Sequence, residues 1–136
     1  MNKPMMKMTL AFAATILLAA CGGGDREPGD AAGARVLRNL FERSGVPAHI
    51  VSFKKTQGRS AHIGSEDVYQ YWYESEIQFP NGYEAKCANE KERGPCALLG
   101  IAVDQTFQKN EILKSEGSLH FSKTEKGWAA EDKNAY

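Results

Sequence analysis

Residues 68–79 read VYQYWYESEIQF, and their alternation decides the fold. Tyr69, Tyr71, Tyr73, Ser75, Ile77 and Phe79 share one face of an extended chain. Gln70, Trp72, Glu74, Glu76 and Gln78 share the other. Successive strand side chains point to opposite faces, so aromatics on one side and Gln/Glu on the other describe a half-buried antiparallel strand. The tyrosines then belong to the core. Trp72 is left on the polar face between Gln70 and Glu74. A large aromatic among polar neighbours marks a contact surface. The other assignment of the faces would put Trp72 under a helix, since a one-residue slip exchanges the two faces. Pro80-Asn81-Gly82 ends the run with a turn, after which Tyr83 to Cys87 can run back.

Upstream, His49 to Lys55 (HIVSFKK) is a short β-prone run ended by Gln57-Gly58. Before it, Val36, Leu37, Leu40 and Phe41 recur at helical spacing. Asp30 is a suitable N-cap, Gly45 fits the position after the helix, and Pro47 forbids continuation. A helix of about 14 residues is marginal alone, so this stripe requires a surface to cover. Downstream, Asn89 to Pro95 (NEKERGP) reads as a charged surface loop. Ala97 to Val103 (ALLGIAV) reads as a buried strand, being short and interrupted by Gly100. Glu111 to Lys123 places Leu113, Ser115, Gly117, Leu119 and Phe121 on one face. Thr124 to Gly127 then forms a hairpin loop and Trp128 opens a last short strand.

The expectation is an α+β domain, with one N-terminal helix on a curved antiparallel sheet of four to six strands. The alternative is a small β-barrel with an added helix. In element order the chain resembles the cystatin-like and NTF2-like folds, which carries fold analogy and no activity.

Ahead of this domain, Lys3 and Lys7 precede an uncharged run from Thr9 to Ala20 (TLAFAATILLAA). As a helix it spans about 18 Å at 1.5 Å per residue, short of the roughly 20 residues a bilayer core demands. This is a secretory leader rather than a membrane span. Its end, Leu18-Ala19-Ala20-Cys21, resembles the lipobox of bacterial lipoproteins. The resemblance implies cleavage before Cys21 and lipid on that cysteine, which then anchors the chain to a membrane. In lipoproteins of this kind an aspartate after the cysteine would imply inner-membrane retention; Gly22 stands there, which implies the periplasmic face of the outer membrane, with the cell surface also open. The expected organisation is a leader over 1–20, a flexible glycine-rich tether over 21–31 and a single domain over 32–136.

With Cys21 carrying lipid, the remaining cysteines are an even pair. Export into an oxidising compartment makes a Cys87–Cys96 disulfide the expectation. The 136-residue chain carries 17 basic and 17 acidic side chains. Lys3 and Lys7 leave with the leader, so the mature chain has a net charge of −2, without the basic excess of a nucleic-acid binder.

The chemistry-bearing residues form no motif. His49, His62 and His120 lie at no metal-ligand spacing, so neither a metal nor another cofactor is expected. Glu74 and Glu76 share a face about 7 Å apart and can pair as acid and base, but alternation with Gln is what the wet side of a sheet shows. Ser60, Ser65 and Ser75 lack a nucleophile elbow. GSED at 64–67 is too short for a calcium loop. The functional expectation is therefore a non-catalytic binding or envelope-assembly module with a protein partner, contacting it through Trp72, Glu74 and Glu76. An inhibitor or immunity protein against a periplasmic hydrolase or toxin, with residues 89–95 as its plug, is the alternative. An NTF2-like enzyme with a tyrosine-lined cavity is the third reading.

Overall fold

Helix α1, Asp30–Ser44, lies against the aromatic face of a four-stranded antiparallel sheet in a computed structural model that describes residues 26–136. The expected leader, Cys21 as the expected lipidation residue, and the first part of the expected tether lie outside the described residues. Strands β1 (His49–Ile63), β2 (Glu66–Phe79), β5 (Glu111–Thr124) and β6 (Gly127–Ala130) are ordered β1-β2-β5-β6. Strands β3 (Tyr83–Ala85) and β4 (Gln105–Phe107) form a separate two-stranded ribbon. The sheet does not close, so the architecture is α+β and not a barrel.

The alternation of residues 68–79 resolves as expected. Tyr69, Tyr71, Tyr73, Ser75, Ile77 and Phe79 are all buried, while the intervening residues are partly or fully exposed. Leu119 and Phe121 of β5 join them, and Val36, Leu37 and Phe41 of α1 close the core from above. The rings pack on one another across strands: Phe53 stacks on Tyr73 at 4.8 Å and Tyr71 tilts against Phe121 at 5.7 Å. Tyr73 also lies over Gly117, its cross-strand partner, where a Cβ would come within 2.4 Å of the hydroxyl. Burial raises the Tyr73 phenol to about 12, with a smaller contribution from Glu131, and raises that of Tyr71 further still. Both rings are therefore neutral core members at any physiological pH.

Helix α1 stops where glycine permits it. Gly45 adopts φ 73°, and the following amide of Val46 returns to the Phe41 carbonyl at 3.1 Å. Asp30 does not cap. It is the first helical residue, and its carboxylate accepts the Lys55 amide of β1 at 2.7 Å, which pins the helix start to the sheet.

Four segments differ from their sequence reading. β1 runs on to Ile63 rather than ending near Gln57, because β2 offers it backbone partners as far as Glu66. From Thr56 onward this strand is exposed, so hydrogen bonding and not burial extends it. Tyr83 does not fold back onto β2, since both edges of β2 are already taken by β1 and β5; it pairs with Phe107 instead. Residues 89–95 are not an open loop but a 3₁₀ turn, Glu90–Glu92, running into helix α2, Arg93–Leu99. Ala97 to Leu99 therefore belongs to a helix rather than a strand. Gly100, at φ 72°, terminates it with its amide on the Ala97 carbonyl.

Cys87 and Cys96 are joined, with Cα atoms 5.6 Å apart. The bond staples the middle of α2 to the segment after β3, and Leu99 is fully buried. Replacing both cysteines with serine is expected to lower unfolding free energy by about 2–3 kcal/mol, by the loop-closure argument. Urea titration of the oxidised protein and the variant checks it.

At the other end of the chain Asp132 is fully buried. Its carboxylate accepts from Asn39 of α1 at 2.8 Å, from the amide of Asn134 at 3.0 Å, and from the Tyr136 hydroxyl. Arg43 of α1 donates to its backbone carbonyl. Tyr136 and Trp128 exchange backbone hydrogen bonds at 2.8 and 2.9 Å. The C-terminus is thus tied both to β6 and to the helix.

Candidate functional site

The face of the sheet opposite α1 is uncovered, and Trp72 stands in its middle. Directly opposed residues in an antiparallel pair share a face, so the strand register defines the neighbours. Gln57, Trp72 and Ser118 form one row across β1, β2 and β5. Lys54, Glu74 and Glu116 form the next, and Ser52, Glu76 and Lys114 the one after. On the other side of Trp72 lie Arg59, Gln70 and His120. The three contact residues expected from the sequence, Trp72, Glu74 and Glu76, are therefore brought together on this face, with Trp72 outside the core.

The face is charged in both signs but not internally satisfied. Among the described residues no ion pair within 4 Å joins Lys54, Lys114 or Arg59 to Glu74, Glu76 or Glu116. Glu74 and Glu116 stand directly opposite each other, an arrangement that costs stability in an isolated sheet. A depression of about 840 Å³ beside these rows is lined by Phe53, Ser75 and Ser115 of the aromatic face, by Gly100 at the end of α2, and by Lys54 and Lys114. A second, of about 430 Å³, adjoins it at Glu74 and Glu116 and is lined by Gln57, Trp72 and Ser118. Ser75 lines the larger one; it is 2% exposed, and its Oγ has no hydrogen-bond partner among the described residues. Its cross-strand neighbour Ser115 is satisfied, donating to the Leu99 carbonyl at 2.8 Å.

Chemically, this surface offers one aromatic plate, flanking amide and hydroxyl groups, and carboxylates and ammonium groups in adjacent rows. Such a set suits contact with another macromolecule, with the tryptophan as anchor and the charges fixing register. The histidines are spread apart: His49 opens β1, His62 is its next-to-last residue, and His120 lies within β5. His62 pairs with Asp67, and His120 approaches Glu131 at 3.4 Å. No cluster of metal-ligating side chains occurs among the described residues. Asp132, the buried carboxylate, is consumed by the C-terminal lock, and the tyrosines fill the space between sheet and helix. The partner residues on β1 and β5 were invisible in the sequence, because register alone places Gln57 and Ser118 beside Trp72. No protein-family model, no curated protein and no solved structure matches the chain.

Proposed function

We propose that the chain is a lipid-anchored, non-catalytic module of the bacterial envelope. Cys21 holds it at the periplasmic face of the outer membrane, and it binds or assembles with an envelope protein through the sheet face around Trp72. The observation that carries this reading is Leu18-Ala19-Ala20-Cys21 ahead of a domain whose two other cysteines are bonded to each other. That pairing suits an oxidising compartment and leaves Cys21 as the single thiol available for lipid. The uncovered Trp72 face supports the binding half of the reading.

The test is recovery from detergent-solubilised membranes of the wild type and Trp72→Ala in parallel. Both are expected to fractionate with the outer membrane, with stabilities within about 1 kcal/mol of each other, because Trp72 is outside the core. The wild type is expected to retain a specific envelope protein. The variant is expected to lose about 2 kcal/mol of that affinity, roughly 30-fold, as a central aromatic contact does. A wild type that retains nothing specific, or a variant that retains the partner equally, contradicts the proposal.

A further inference from the structure

We infer that the domain stands on the membrane with the β1–β2 turn toward the bilayer that holds the Cys21 lipid. This rests on the lipid-anchored reading above and adds an orientation to it. Four contacts fix the chain just before α1 onto the sheet. The Lys55 amide donates to Asp30 at 2.7 Å, and Lys55 Nζ donates to the Pro28 carbonyl at 2.9 Å. The Tyr71 hydroxyl donates to the Gly29 carbonyl at 2.8 Å, and the Tyr69 hydroxyl to Glu27 at 3.2 Å. Pro28 itself is buried. The glycine-rich tether is thus shorter than composition alone implies, because Glu27 to Asp30 belong to the domain.

Two geometric consequences follow. Going back from α1, the contacts step from Tyr71 to Tyr69, which is toward the turn at Gly64-Ser65. The chain therefore leaves the domain in that direction. From Cys21 to Glu27 the covalent reach is at most about 20 Å. From Tyr69 to Ser65 along the strand is about 13 Å, whereas Asn81 at the opposite end lies about 40 Å from Tyr69. The lipid can reach past the β1–β2 turn and cannot reach the far end.

The turn is built to meet an interface. Ile63 at its edge is 68% exposed, more than any other large apolar side chain among the described residues. Beside it, His62 pairs with Asp67, and Glu66 sits opposite Ile63. A single apolar side chain at a tip binds lipid weakly alone, so the Cys21 lipid supplies the attachment and Ile63 the orientation. The Trp72 face then runs parallel to the bilayer normal, open to a partner.

Acylated protein carrying Ile63→Cys or Asn81→Cys tests this. With Cys21 lipidated and Cys87–Cys96 closed, the introduced thiol is the only free one, and both positions are exposed. Each variant is labelled with a fluorophore and reconstituted into phosphatidylethanolamine/phosphatidylglycerol vesicles containing a headgroup spin-labelled lipid. The label at 63 is expected to lose most of its fluorescence and the label at 81 none. A Gly/Ser insertion of about twenty residues after Gly24, which adds roughly 25 Å of reach, is expected to restore much of the signal at 63. Equal quenching at both positions in a lipidated sample overturns the orientation and leaves the anchor standing. A sample whose mass shows no lipid on Cys21 overturns both.

Discussion

Tyr71→Ala is expected to lower unfolding free energy by about 4 kcal/mol, the cost of deleting a fully buried aromatic ring. Tyr71 has no exposed surface and touches the rings of both Phe53 and Phe121. It therefore connects β1, β2 and β5 under α1. Its hydroxyl also holds the Gly29 carbonyl, where the chain enters the helix. Tyr71→Phe separates the two roles. The ring remains, and the Gly29 carbonyl keeps its hydrogen bond from the Gly33 amide. The loss is then about 1 kcal/mol, that of one hydrogen bond. Equilibrium urea denaturation of the two variants distinguishes a ring that supports the core from one that only ties down the chain. Equal losses in both would mean that the hydroxyl dominates.

Asp132→Ala is expected to cost about 3 kcal/mol at neutral pH, because it strips a buried ionic acceptor from Asn39, Asn134 and Tyr136. The pH dependence gives this prediction its signature. Burial alone would raise the Asp132 carboxyl, but the hydrogen bonds from Tyr136, Asn39 and Asn134 outweigh it and leave it below the ordinary range. A carboxyl depressed in the folded state stabilises fully above its unfolded value, about 3.9, and loses that contribution as pH falls through the folded value. The gap between wild type and Asp132→Ala is therefore expected to be wide at pH 7 and to narrow below about pH 4. Thermal melts across that range check it. A gap independent of pH would show that shape, and not charge, holds the C-terminus.

What was legible in the sequence was whatever burial writes into it. The alternation in β2, the stripe of α1 and the run of Leu119 and Phe121 in β5 all mark surfaces removed from water, and each sits as expected. The parts that did not show are held by other forces. The second half of β1 has no apolar alternation and is a strand through backbone pairing alone. Helix α2 is seven residues long, too short to announce itself by periodicity. It exists because a disulfide holds its middle residue, Cys96, and Gly100 closes its end. The C-terminal lock depends on Asn39 and Asp132, 93 positions apart, which no local pattern connects. The candidate site falls between these cases. Trp72 was visible as the odd residue on a polar face, while the rows around it needed the strand register.

The central claim is a folded domain on a lipid leash, and the intact mass of the protein recovered from membranes tests it most directly. The account predicts a chain beginning at Cys21, heavier by its acyl groups, with Cys87 and Cys96 two hydrogens short of their reduced mass. A chain that begins at Met1, carries no lipid and has all three cysteines reduced would contradict it.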